Sequence, residues 1–381
     1  KLFMNYARFL ETPIPLDVNV RAGSEESQTD KNFNVSRYGS ASGAIVVPGL
    51  FGSTGSAATF ATANLGAHPT PLDAGLKPQT VNEWSAGLEY EVVKDLAIGF
   101  RGVYRAQDEV IEDGSFDDGN NYFIFNPGRR GTGTFETTED KACNDPLIGC
   151  FGPARRYYRA LEFSATKRFS NNYQFIASYV FSSLIGNYEG LFRNDNGQSD
   201  PNITSLFDLV SLLPNTYGRL PNDRPHQLKF DGSYRWPFKL STSASFRMQT
   251  GIPFSALIPH PVYGNNEGFE VPRGTAIVPL VPVQFPDFPN TVESVGDNRT
   301  PRTYNLDLGA YYPIQMGEDR QLRFQVDWFN VTNQQRAVTL DQTLRINSGI
   351  AGVPPITNPF FGAGQIFQYP SSLRLGVKFS F

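Results

Sequence analysis

The fold class this sequence predicts is all-β: an antiparallel up-and-down barrel that crosses a membrane with its strands. Three observations predict it. About ten segments alternate apolar and polar residues with the period of two that sends successive side chains to opposite faces of a strand. The links between them are alternately long and very short, as in a barrel with tight turns on the periplasmic side and long loops outside. Composition agrees, with 31 Phe and 17 Tyr against 3 Met, 3 His and 2 Cys in 381 residues. Mean hydropathy is -0.33. No apolar run approaches the ~20 residues that a membrane helix needs, whereas a barrel spends only alternate residues on lipid.

The segment Ser371–Phe381 shows the pattern most clearly, with Leu373, Leu375, Val377, Phe379 and Phe381 on one face and Arg374, Gly376, Lys378 and Ser380 on the other. Taken alone, a half-buried strand of a soluble sandwich fits it equally well. The rest of the chain favours the membrane. Residues 1 to 12 read as a strand that stops at Pro13 and Pro15, where a ladder loses its donors. Residues up to about 79 are rich in Gly, Ser, Ala, Thr, Asn and Pro without a sustained period, and read as a long loop.

A hairpin follows. Trp84, Ala86, Leu88, Tyr90 and Val92 alternate with Glu83, Ser85, Gly87, Glu89 and Glu91, turn at Val93–Asp95, and return as Leu96, Ile98, Phe100, Gly102 and Tyr104 against Arg101 and Arg105. Residues 106 to 156 are first acidic, then Gly-rich, and read as a solvated loop. The next hairpin sets Leu161, Phe163 and Ala165 against Glu162, Ser164, Thr166 and Arg168. It turns at Phe169–Asn172 and returns as Phe175, Ala177, Tyr179 and Phe181.

Beyond a polar stretch from 186 to 225, Leu228 to Trp236 opposes Leu240 to Met248, with Pro237 at the turn. A Pro-rich connection leads to Tyr304–Tyr312, a turn near Met316–Asp319, and Leu322–Trp328. A last long connection reaches the closing strand. The short links all fall on the side where Phe381 ends. Trp84, Tyr104, Tyr234, Trp236, Tyr304, Tyr312 and Trp328 lie near strand ends, where amphipathic rings favour a lipid–water boundary.

A formal net charge of -4 with no basic stripe argues against nucleic acid as a partner. Cys143 and Cys150 lie in a polar loop without a nearby His; two lone ligands cannot close a zinc site, so a small loop disulfide is favoured over a pair of free thiols. No cofactor is expected. His68, His226 and His260 are far apart and outside any nucleophile motif, so catalysis has little support, and His226 reads as a strand-mouth hydrogen-bonding residue. The run Asp108–Asp118 lacks calcium-loop spacing and reads as solvated charge.

The polar faces carry charges of both signs, among them Glu89, Arg101, Asp231, Arg247, Asp327 and Arg374, which suit a wet lumen or the surface of a polar plug. Loop aromatics such as Phe116, Tyr122, Phe123, Tyr188, Phe192, Phe207, Tyr217, Phe269, Phe285 and Phe288 could contact a solute, though packing among the loops is the favoured reading.

Five pieces resemble the C-terminal barrel of the TonB-dependent outer-membrane receptors, in particular the Oar-like group. They are Leu76–Glu89, Tyr158–Phe169, Asn222–Tyr234, Val326–Asn333 and the closing strand. Each is degenerate alone; their order and the aromatic end carry the likeness over nearly the whole chain. The resemblance implies a barrel of about 22 strands, plugged by an N-terminal domain and energised by TonB from the inner membrane. It also implies that Val377, Phe379 and Phe381 belong to a signal read by the barrel-assembly machinery. On this reading, residues 1 to 381 are the C-terminal portion of such a barrel in the outer-membrane lipid of a bacterium, with the plug, TonB box and signal peptide expected elsewhere.

Uptake of a scarce, bulky solute is then the expected function, with its substrate and binding residues unread. An adhesion or export protein is the alternative, and a passive porin fits such long loops less well.

Overall fold

The computed structural model describes residues 1–10, 72–73, 75–115, 122–129, 150–190, 192–197, 204–280, 294–317, 319–347 and 353–381. Ten strands form one antiparallel meander. They are β1 (Leu2–Leu10), β2 (Thr80–Val93), β3 (Leu96–Asp108), β4 (Arg156–Ser170), β5 (Tyr173–Gly186), β6 (His226–Arg235), β7 (Ser241–Gln249), β8 (Thr303–Gln315), β9 (Gln321–Phe329) and β10 (Ser372–Ser380). Each pairs with the next in chain order, and the two-residue strand Gly218–Arg219 adds to the end of β5.

Register joins the separate alternations into one surface. Leu88 faces Phe100, Phe100 faces Phe163, Phe163 faces Tyr179 and Tyr179 faces Leu228. The row continues through Met248 and Tyr304 on one level and through Phe246 and Leu306 on the next. Ala310, Val326 and Leu375 carry it to β10. A slip of one residue at any of these ladders would turn a whole strand inside out. The surface is left uncovered by protein, with Met4 75 % and Leu375 71 % exposed, which suits hydrocarbon rather than water.

The turns have the backbone chemistry that tight links demand. Asn171 and Asn172 both have positive φ, at 52° and 69°, as a two-residue hairpin turn requires. Asp95, Lys239 and Gly317 take the same left-handed conformation in the other three short links. Trp236 and Leu240, which the alternation assigns to strands, instead close the β6–β7 turn, the Trp236 amide donating to the Leu240 carbonyl at 2.8 Å. The left-handed Lys239 imposes this by ending the ladder before Leu240.

The long links build a canopy over the opposite end of the wall. It contains the hairpins Glu112–Ser115 with Tyr122–Phe125, Leu257–His260 with Gly264–Phe269, and Ala337–Leu340 with Gly364–Phe367. The large buried apolar clusters among the described residues lie mainly here. One joins Tyr188, Leu206, Phe207, Leu257 and Phe269; a second joins Phe254, Ala256, Val278 and Leu340; a third joins Phe123, Phe125 and Phe151. A fully buried Phe contributes about 1.5–3 kcal/mol, so the canopy has a core of its own.

Candidate functional site at the lumenal wall and loop canopy

On the face opposite the apolar one, strand register sets acids beside bases. Arg101 lies directly across from Glu162, and its Nε and Nη2 donate to one carboxylate oxygen at 2.9 and 2.6 Å. Asp327 faces Arg374, which donates to it at 3.0 and 2.7 Å. Asp231 is one step diagonal to Arg247 and receives two bonds from its Nη2 at 2.9 and 2.7 Å. Arg105 lies directly across from Glu83 and donates to its carboxylate through Nε. Glu89 shares this face, with the Lys1 Nζ 3.9 Å away.

Such half-exposed pairs are worth about 0–1 kcal/mol each. Their consequence is a hydrated wall whose charges are matched in part, while Arg323 lies directly across from Lys378. Beneath the canopy this wall opens into a cleft of about 650 Å³. Glu83, Arg105, Arg156, Tyr158 and Glu162 line it, offering donors and acceptors of both signs to a polar surface.

The quoted pieces of sequence turn out to hold the strand mouths. Asp223 is buried and accepts the Leu184 amide at 2.7 Å, while Arg299 donates to both its carboxylate and, at 2.9 Å, its carbonyl. Asn330, with φ 43°, donates to the Gln334 and Tyr369 carbonyls at 2.8 and 2.7 Å, and its amide reaches Asp307 at 2.8 Å. These positioning residues escaped the sequence reading, although an Asp or Asn beside a strand mouth is the signal that could have found them.

The canopy interior holds a denser charge cluster. Arg193 and Arg273 have no exposed surface, and both guanidinium groups lie near the Phe269 ring, at 5.3 and 5.1 Å from its centroid. Arg193 donates to Asp195 at 2.9 Å and to Glu267 at 2.6 Å; Arg273 contacts Glu189 and donates to Asp195 at 2.5 Å. Burial lowers the Arg273 guanidinium to about 9 and raises the Asp195 carboxyl, which Arg193 opposes.

The solvated reading of the acidic run is corrected at Glu112 and Asp113. Glu112 is wholly buried, accepting the Thr204 amide at 2.9 Å, and Asp113 is buried beside it. Burial pushes the Glu112 carboxyl well above its usual range, so the site holds a proton more tightly than water would allow. The hairpin with Tyr122–Phe125 folds this stretch inward, which its local charge pattern conceals.

Among the loop aromatics, Phe123, Tyr188, Phe207 and Phe269 are buried in canopy packing, whereas Phe192 and Tyr217 are exposed. Tyr122 contacts the Tyr263 hydroxyl. Phe116, Phe285 and Phe288 lie outside the described residues, as do His68, Asp117, Asp118 and Cys143. Cys150 is disulfide-bonded.

His226 begins β6, its amide donating to the Thr250 hydroxyl at 2.8 Å and its Nδ1 contacting the Tyr179 hydroxyl at 2.7 Å. His260 and Ser211 do converge, at 3.0 Å, a pair not foreseen from the sequence. The His260 Nδ1 accepts the Val262 amide at 3.3 Å, which puts the ring proton on Nε2, facing Ser211. A ring that donates to the hydroxyl cannot take its proton, so this geometry does not activate Ser211.

Val377 and Phe379 sit on the apolar face opposite Phe324 and Leu322, and the Phe379 and Phe381 rings stack at 5.8 Å.

Known proteins resemble the chain in sequence. A family described as an outer membrane beta barrel domain matches residues 5–353. The TonB-dependent transporter Oar of Myxococcus xanthus is 31 % identical over the whole of this chain, which spans 37 % of that protein. Among solved structures, the ferric-catecholate import receptor Fiu of E. coli K12 overlays with a TM-score of 0.42 at 11 % identity, covering 80 % of this chain and 28 % of that one. The outer-membrane transporter YddB of Escherichia coli overlays at 0.39 and 14 % identity, covering 80 % and 33 %.

Proposed function

Because the chain belongs to the outer-membrane β-barrel family, we propose that it forms part of the wall and the loop canopy of a TonB-dependent importer of a bulky polar solute. The observation that carries the proposal is the combination of an apolar outer face, a charge-paired inner face and a canopy with its own core. The similarity to Oar supports the energised class of transport. In this reading residues 1–381 are the C-terminal portion of the barrel.

Further strands complete the wall. Neither the outer edge of β1 nor that of β10 has a strand partner among the described residues, and each unsatisfied backbone group in hydrocarbon costs several kcal/mol. The lumenal ion pairs face a plug, and the cleft lined by Glu83, Arg105 and Glu162 takes part in holding plug or solute. Val377, Phe379 and Phe381 present an apolar terminal motif to the assembly machinery, and Cys143 is the partner of Cys150. No catalytic role is assigned.

The test uses the full-length protein, extracted from outer membranes and reconstituted in liposomes. It is expected to exclude arabinose and to bind the isolated periplasmic domain of TonB. Arabinose-driven swelling at a porin's rate, or failure to bind that domain, would overturn the reading.

A further inference from the structure

Two adjoining cavities lie on the membrane side of the wall, where the lumenal pathway has no use for them. The lower is an apolar groove of about 610 Å³ formed where Ala86 and Gly102 leave the surface thin between Trp84, Tyr104, Leu161 and Phe181. All six belong to the lipid-facing register. A Cβ on Gly102 would meet nothing closer than 3.8 Å, so the groove is open space rather than a close approach of strands.

The upper cavity, about 840 Å³, shares Trp84 and Tyr104 with the lower and continues it toward the canopy. Arg8 and Tyr157 stand on its strand side, and Arg129 and Arg155 come from loops that roof it. The roof is held in place by Asn126, whose amide donates to the Lys77 and Val110 carbonyls at 3.0 and 2.8 Å. Arg159, at the junction, lies 5.7 Å from the Tyr104 ring centroid.

Among the described residues no carboxylate pairs with Arg8, Arg129, Arg155 or Arg159. Arg129 donates to the Gly75 carbonyl at 2.6 Å, Arg155 to the Tyr157 hydroxyl at 3.2 Å, and Arg8 to the Thr80 hydroxyl at 3.3 Å. Glu109 is the one acid among the residues that line the cavity. The informative feature is that the four line adjoining cavities without an acid partner, whereas Arg101, Arg105, Arg247 and Arg374 on the lumenal face each have one. Four guanidinium groups grouped at the level of an aromatic belt, above a dry groove, form a receptor for an anionic head joined to an apolar tail.

The geometry points to a binding site for a phosphate-bearing acylated glycolipid of the outer leaflet. Its phosphate lies against Arg155 and Arg159, and one acyl chain lies in the groove over Gly102. The inference rests on the membrane placement of the wall but not on import, so it can fail while that reading stands, and the reverse.

The experiment is native mass spectrometry of the full-length protein in mild detergent, titrated separately with bis-phosphorylated lipid A, with its dephosphorylated form and with inorganic phosphate. One equivalent of the phosphorylated lipid is expected to bind. Arg155→Glu with Arg159→Glu should weaken it about tenfold or more, the scale of losing a charged hydrogen-bonding partner. Gly102→Phe, which fills the groove and leaves the cationic cleft intact, should weaken it independently. Unchanged binding in both variants, equal binding of the dephosphorylated lipid, or displacement by millimolar inorganic phosphate would each overturn the site. Heat-modifiable migration and binding of the TonB periplasmic domain should be unchanged in both variants.

Discussion

Replacing Arg273 with methionine is expected to unfold the loop canopy while the wall stays intact. The substitution leaves the buried Glu189 carboxylate without its cation and the buried Asp195 carboxylate with Arg193 alone. Removing one partner of a buried ion pair costs about 3–5 kcal/mol. Because 1.36 kcal/mol is a factor of ten, amide protection over Asn266–Phe269 should fall by about two to three and a half orders of magnitude. Exchange on the full-length protein, followed by mass spectrometry, measures this directly. The contrast that gives it meaning is Arg247→Met on the lumenal wall, where Arg247 and Asp231 are half exposed and the loss should be within about 1 kcal/mol. Equal, small effects of the two substitutions would show that the canopy cluster does not hold the loops together.

The second large effect concerns the membrane face. Phe163, on β4, faces Phe100 and Tyr179 across its two ladders and packs with the Phe100 ring at a centroid distance of 4.9 Å. It lies away from both aromatic belts, so Phe163→Arg should lower stability in a bilayer by about 2–4 kcal/mol. Thr166→Arg, three residues along on the lumenal face, should cost much less because its charge stays in water. Urea titration of folding into lipid vesicles compares the two. Tolerance of arginine at 163, or an equal loss at 166, would contradict the assignment of faces.

The wall was largely legible in the sequence because each strand separates two solvents and therefore repeats its contrast every second residue. Leu306, Leu308 and Ala310 against Asn305, Asp307 and Gly309 needed no knowledge of their neighbours. The strand ends were less legible, since Trp236 and Leu240 continue the alternation but obey a turn set by Lys239.

The canopy was not legible because its contacts join residues without local periodicity. Glu112 meets Thr204 across 92 positions and Arg193 meets Glu267 across 74. Glu112 therefore looked like one more charge in an acidic loop, and the His260–Ser211 contact had no motif to announce it. The lipid-side cations were hidden for a related reason. Arg159 and Arg8 share the parity of their strands' apolar residues, but only the assembled sheet places them beside Arg129 and Arg155.

The measurement that tests the central claim most directly is a spin-label scan of residues 303–315 in the full-length protein, reconstituted in lipid. Accessibility to oxygen and to a water-soluble nickel chelate is read at each position. The account predicts a strict period of two, with oxygen favoured at Tyr304, Leu306, Leu308, Ala310 and Tyr312 and the chelate favoured at Asn305, Asp307 and Gly309. Uniform aqueous accessibility along β8, or the inverse phase, would contradict a wall with lipid on its apolar face and a wet lumen on the other.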